Sequence, residues 1–337
     1  MHLKFLDLPP DERRLYVEQA AVRRNVSPVM LEKDFWVCWV LAVLFESTFA
    51  EALVFKGGTS LSKVFGVINR FSEDIDLSVA PDVLGMSEGD PVSRAQADRW
   101  MTDAEARCAE TVRDRVRPEM ERAAALALGE PADAWFEFTL DGATRSPVLL
   151  FRYPTTQPAG FAYLTRSVKL EFGSLTDQRP KDRHPVRPWI AEVFAEPFSD
   201  WSCHVVALDV HRTFWEKATI LHAEYHRPPD RSMPDRFSRH YADTVSLAHH
   251  PIASRAVERA DVRDRVVAWK SRFFGSAWAR YDLARPGSFR LVPAAGRTAG
   301  LRRDYDAMRD MYVDPPAPFE DILGSLGELE RRINAWP

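Results

Sequence analysis

Apolar and polar positions alternate differently in the two parts of the chain. Pro9-Pro10-Asp11-Glu12 places proline at a helix start and acids in the first turn, so a helix is expected as far as Arg24. Ser27-Pro28 opens a second helix, with Ser27 as its N-cap. Its sequence, VMLEKDFWVCWVLAVLFES, is apolar on nearly every side and predicts a buried helix interrupted only by Glu32, Lys33 and Asp34. Residues 53–56 form a short apolar run before two glycines and predict a buried strand, 59–65 suit a short helix, and 74–79 alternate as a strand does. A helical pattern follows over 92–127, then strands over 135–140, 148–153 and 167–172. Beyond these, helices are expected at 211–225, 235–249, 252–259, 262–274, 299–312 and 317–334. The pattern therefore predicts an α/β region over residues 1–200 and a helical region over 201–337.

Composition narrows this picture only a little. The chain has 337 residues, 45% hydrophobic and 28% charged, which is the balance of a globular protein. The net charge of −4 advertises no nucleic-acid partner, so such a partner would need a local basic face. Three widely spaced cysteines form neither a disulfide framework nor a metal-spaced cluster, which fits a reducing cytoplasm. No signal peptide is expected, and the apolar run at 35–45 is too short and too flanked by charge to span a bilayer, so no membrane association is expected.

Candidate chemistry sits in FKGGTSLSKVFGVINRFSEDIDLSV, residues 55–79. Side chains two apart on a strand share a face, so Asp74 and Asp76 project together while Ile75 and Leu77 turn to the core. Adjacent carboxylates repel, and a divalent cation relieves them. Mg²⁺ takes one or two carboxylates and completes its shell with phosphates and water. Upstream, Gly57-Gly58 follows a strand and opens a short helix. Glycine allows close backbone approach, and Thr59, Ser60 and the helix start offer donors to an anion. Lys56, Lys63 and Arg70 add positive charge, and Glu73 is expected on the opposite face, as a structural residue or as a partner for Arg70.

A glycine pair followed by an acid–apolar–acid triplet is the signature of polymerase β-like nucleotidyltransferases, and FKGGTSLSK…RFSEDIDLSV resembles the AbiEii/AbiGii toxin family in particular. LEKDFWVCWVL (31–41) resembles that family's preceding helix, and RTFWEKATILH (212–222) and SRHYADTVSL (238–247) resemble its third and fourth motifs. The likeness covers roughly residues 28–250. It implies an α/β (α+β) fold, a polymerase β-like core with a mixed sheet followed by a helical C-terminal domain that contributes Lys217 and Asp243. It implies a metal-dependent nucleotidyltransferase toxin of an abortive-infection or toxin–antitoxin system, active in phage defence. Asp74 and Asp76 are then the metal ligands, for Mg²⁺ or alternatively Mn²⁺. Gly57, Gly58, Thr59, Ser60, Lys63 and Arg70 bind nucleotide, Lys217 binds the triphosphate of the NTP, and Asp243 orients Lys217 or the nucleotide. Glu171, in SVKLEFGS, is the candidate third carboxylate, as base, second-metal ligand or structural acid beside Lys169. The implied acceptor is RNA, in particular the tRNA 3′ end, and the implied partner is an AbiEi-like antitoxin. Two other readings remain, a transferase for a small molecule or protein and a non-catalytic nucleotide-binding module.

Overall fold

The computed structural model describes residues 3–86, 93–131, 133–142, 144–158 and 165–335. They form two compact units, one of Met1–Val64, Phe71–Pro91 and Arg99–Ala207, the other of Phe65–Arg70, Val92–Asp98 and Leu208–Pro337. The division falls a few residues beyond the expected position 200, and two short upstream segments belong with the C-terminal unit.

In chain order the elements up to residue 208 are α1 (Lys4–Asp7), α2 (Pro10–Arg24), α3 (Pro28–Phe45), β1 (Leu53–Lys56), α4 (Gly57–Lys63), β2 (Ile75–Val79), α5 (Arg94–Thr111), α6 (Arg117–Leu128), β3 (Phe136–Leu140), β4 (Pro147–Phe151), β5 (Val168–Gly173), β6 (Lys181–Pro185), α7 (Trp189–Val193) and β7 (His204–Leu208). The strands form one mixed sheet in the order β3-β4-β5-β2-β1-β7-β6. β2 lies antiparallel to β1 and parallel to β5, with Asp76 opposite both Lys56 and Glu171. The alternation read from residues 74–79 holds, since Ile75 and Leu77 are fully buried.

The core of this unit gathers on α3. Ser27 caps the helix by accepting the Met30 amide at 3.2 Å. Trp36 and Trp39 pack on Phe151 of β4, and Trp36 stacks on Tyr153 at 5.7 Å. Removing either indole would cost about 3–5 kcal/mol, the usual range for emptying such a volume in a core. The long helix expected over 92–127 starts at Arg94, and position 92 lies outside the described residues. It widens into a π turn at Val112–Val116, just before Pro118 in the first turn of α6. Proline cannot donate in an α ladder, and a wider turn accommodates the lost bond. Strands β6 and β7 lie where the sequence pattern predicted none.

The second unit contains α8 (Val210–Tyr225), α9 (Ser238–His249), α10 (Ala260–Phe273), α11 (Thr298–Ala307) and α12 (Phe319–Ala335). Asp209 caps α8 by accepting the amides of His211 and Arg212 at 2.9 and 3.1 Å. α12 buries Ile322, Leu326, Leu329 and Ile333, an apolar stripe at helical spacing. The helix expected over 252–259 is only a 3₁₀ turn at Ala256–Glu258. Segment 65–70 is held within this unit by a β-bridge from Arg70 to Tyr312, by the Val313 amide donating to the Asn69 carbonyl at 3.2 Å, and by the Asn69 side chain on Asp314 at 2.6 Å. Among the described residues no helix is long and apolar enough to cross a membrane.

Candidate active site

In the first unit the acids converge on one face of the sheet. Asp74 stands one residue before β2, Asp76 lies within it, and Glu171 is the neighbour of Asp76 on β5. Burial, then Glu73, Asp76 and Glu171, push the Asp74 carboxyl up to about 6, with Lys169 pulling the other way. That is the signature of a part-buried carboxyl among other carboxylates. Glu171 is ion-paired with Lys169 two residues back on the same strand face.

Gly57 has a role more specific than the flexible turn read from sequence. Its φ is +76°, and a Cβ there would lie 1.9 Å from Asp76 Oδ2. The bare Cα therefore makes room for the Asp76 carboxylate itself. The hydroxyls expected to cradle phosphate are engaged in the frame instead. Thr59 donates to the Asp74 carbonyl and accepts from the Ser72 hydroxyl at 2.9 Å, and Ser60 donates to the Gly57 carbonyl at 2.9 Å. Both residues are fully buried. Gly58 is the second residue of α4.

Lys63 is also placed differently from the nucleotide-binding expectation. Its Nζ is 2.5 Å from Asp34 Oδ1, both side chains are buried, and it lies 5.0 Å from the centroid of the Trp189 ring. The Trp189 amide donates to the other Asp34 oxygen at 2.7 Å. Glu73 pairs with Lys33 at 2.5 Å rather than with Arg70, and Lys33 donates onward to the Thr165 carbonyl at 2.9 Å. Glu32 accepts from the Thr156 amide at 2.6 Å and from the Thr155 and Thr156 hydroxyls. The three charges on α3 thus tie down five separate stretches of chain, and Lys33 holds the residue next to Asp74. The readable signal was a run of charges inside a helix otherwise too apolar to be exposed, since buried charges require partners.

In the second unit, Arg70, Lys217 and Asp243 form one buried cluster. Arg70 donates its Nε and Nη2 to the two Asp243 oxygens at 2.9 and 2.8 Å, and Lys217 Nζ reaches Oδ2 at 2.8 Å. Asp243 is therefore not the surface partner that helical spacing from Arg239 would allow. Burial opposes its ionisation, but Arg70 and Lys217 outweigh burial and hold its carboxyl well below the usual carboxylate range. Burial lowers the Lys217 ammonium, Asp243 opposes that, and Arg70 adds to it. Two cations thus share one carboxylate. Burial keeps His240 well below its ordinary value, and Lys217 and Arg239 lower it further, so it is a neutral neighbour.

The donor set fits a cation held by two carboxylates better than a dedicated metal cage. Among the described residues no group of three or more His, Cys, Asp or Glu has metal-site geometry. The crowded pair Asp74 and Asp76 is the set that Mg²⁺ uses when phosphates and water complete its shell.

A family model described as "Nucleotidyl transferase AbiEii toxin, Type IV TA system" matches residues 39–325. No curated protein matches the sequence. Among solved structures the chain is similar to MenT4, a nucleotidyltransferase toxin from Mycobacterium tuberculosis H37Rv, at 15% identity and a TM-score of 0.37, over 88% of this chain and 99% of that one.

Proposed function

The chain belongs to the AbiEii nucleotidyltransferase toxin family of type IV toxin–antitoxin systems, and we propose that it transfers a nucleoside monophosphate from an NTP to an RNA acceptor, the tRNA 3′ end. The observation that carries this reading is the carboxylate face, where Asp74 and Asp76 stand together over a glycine that admits no side chain.

Asp74 and Asp76 would hold Mg²⁺, or Mn²⁺ in its place, and the bound ion supplies charge stabilisation at phosphate oxygens. The remaining work is positioning and electrostatics by the chain. The acceptor hydroxyl oxygen bonds to the α-phosphorus as the bond from that phosphorus to the bridging oxygen breaks, and pyrophosphate leaves. The hydroxyl proton passes to a carboxylate, for which Glu171 beside Asp76 is the candidate. Lys217, by its place in the family motif, neutralises the triphosphate. Asp243 fixes the Lys217 ammonium at 2.8 Å and limits where it can point. Arg70, through the same carboxylate, is a positioning residue for Lys217. A toxin of this family has an antitoxin as its partner. We take that partner to be AbiEi-like and the setting to be abortive infection in the cytoplasm.

The test is incubation of the protein with Mg²⁺, total tRNA and each labelled NTP in turn, beside Asp76→Ala. Label on tRNA that is lost in the variant supports the reading and identifies the nucleotide. Label on a protein or small molecule, with none on RNA, replaces the acceptor. Nucleotide binding without turnover leaves a non-catalytic module.

A further inference from the structure

Asp74 and Asp76 are held by different means. Asp76 is the second residue of β2, and the ladder sets its place between Lys56 and Glu171. Asp74 precedes the strand, in a stretch without regular structure over 71–74. A residue ahead of a strand has no ladder to fix it, so its position depends on other bonds. Two of these come from the same unit. The Thr59 hydroxyl donates to the Asp74 carbonyl itself, and Lys33 of α3 pairs with Glu73, the residue before it.

Lys33 does more than neutralise Glu73. Its ammonium has three N–H groups, and it meets three acceptors: Glu73 Oε2 at 2.5 Å, the Thr165 carbonyl at 2.9 Å and the Thr165 hydroxyl at 3.3 Å. The side chain is 1% exposed. β2 and β5 run parallel, with Ile75 opposite Leu170. Glu73 stands two residues before β2, and Thr165 stands three before β5. One buried ammonium thus joins the entries of the two strands that carry Asp76 and Glu171, at the end where Asp74 stands. Compared with apolar residues of the same volume, a buried ion pair contributes little stability. What it supplies is fixed geometry, because a fully bonded polar group specifies one arrangement of its partners.

We propose that Lys33 is a positioning residue for the metal site: it clamps the segments entering β2 and β5 and so holds the Asp74 carboxylate in register with Asp76. It acts through Glu73 and the backbone, not as a ligand. This inference rests on the reading that Asp74 and Asp76 hold the divalent ion. Charge alone would give a different pattern. An ammonium near an acid cluster opposes cation binding, so losing it would tighten the site, whereas losing the Glu73 charge would weaken it. A clamp is weakened by the loss of either partner.

The experiment measures binding of Mn²⁺ alone to the full chain by electron paramagnetic resonance, beside labelled transfer. Lys33→Met and Glu73→Met should each weaken Mn²⁺ binding about tenfold, the lower end for loss of a group that orients a metal ligand. Each should lower kcat to a similar degree and leave KM for the acceptor unchanged. The double variant Lys33→Met/Glu73→Met removes both charges together. Its urea midpoint should lie close to that of the wild type, yet it should bind Mn²⁺ as weakly as either single variant, because two halves of one clamp are not additive. Recovery of wild-type Mn²⁺ affinity in the double variant would show a merely structural pair and overturn the clamp. Tighter binding in Lys33→Met with weaker binding in Glu73→Met overturns it too, in favour of charge alone. Should Lys33→Met fail to fold, Glu73→Met and the double variant carry the decision. Wild-type Mn²⁺ affinity and kcat in both single variants overturn the clamp and leave the metal reading standing. In Asp76→Ala, Mn²⁺ binding should be lost. Binding there at the wild-type level places the ion elsewhere, and the metal reading then fails together with the clamp.

Discussion

The two clusters of charge in this protein are built on opposite principles. On the sheet of the first unit, Asp74, Asp76 and Glu171 crowd together on one face, and the crowding shows in the raised Asp74 carboxyl. In the helical unit, Arg70 and Lys217 are buried around a single carboxylate, Asp243. The first cluster gathers acids beside one another, and the second gathers two cations around one acid.

The largest test of that contrast acts on the acids. Asp76→Asn keeps the shape and removes the charge, and should lower turnover by about a thousandfold, at the upper end for loss of one electrostatic group. Glu171→Gln should cost far less, on the order of tenfold, because Lys169 already engages that carboxylate. Equal losses in labelled transfer would show that the three acids act as one unit.

Gly57→Ala adds one methyl group at φ +76°, against Asp76 Oδ2. Displacing the carboxylate should reduce turnover by about a hundredfold, while backbone strain costs about 1–3 kcal/mol of stability. Activity that stays at the wild-type level would mean that Asp76 can move without consequence.

The cation cluster should respond in stability instead. Asp243→Asn removes the carboxylate that two buried cations share and should cost about 3–5 kcal/mol in urea unfolding. Adding Lys217→Met should recover part of that loss but no activity. A second variant that is no more stable than the first would show that Arg70 alone sets the cost. Because the Asp243 carboxyl is depressed in the fold, its stabilisation is complete above the ordinary carboxylate range. It fades only as pH falls towards the much lower folded value.

A smaller effect comes from His222 in the same unit. Its ring bonds the Arg280 carbonyl through Nε2 at 2.9 Å and accepts the Arg290 amide at Nδ1 at 3.0 Å, an arrangement for the neutral ring. Burial lowers it from 6.5 to about 4. The unfolded chain therefore takes up the proton first. Stability is whole above pH 6.5 and declines as pH falls to about 4, by up to roughly 3 kcal/mol at about 1.36 kcal/mol per pKa unit. Urea midpoints at pH 7 and pH 4 should show the decline, and His222→Gln should flatten it.

How far the sequence went depended on how local each feature was. The Asp-Ile-Asp alternation, the Ser27 cap and the apolar wall of α3 could be read directly, because each is a matter of neighbours two to four residues apart. β6 could not be read, because an exposed edge strand needs no apolar period. β7 was hidden by the apolar start of α8 that follows it. Glu73 was matched to Arg70 because the two are close in the chain, whereas Lys33 reaches it from forty residues away.

The sequence by itself determined the chemistry available to this protein: two carboxylates on one strand face, the glycine before them, and the lysine and aspartate of the later helices. Tertiary structure alone decided how each is used. It paired Asp243 with Arg70 as well as Lys217, turned Lys63 to Asp34, set Thr59 and Ser60 into the frame, and brought the Asp76 carboxylate over Gly57. The reason is that a charge or hydroxyl is free to take any partner within reach until the packing of distant segments removes water and leaves it one.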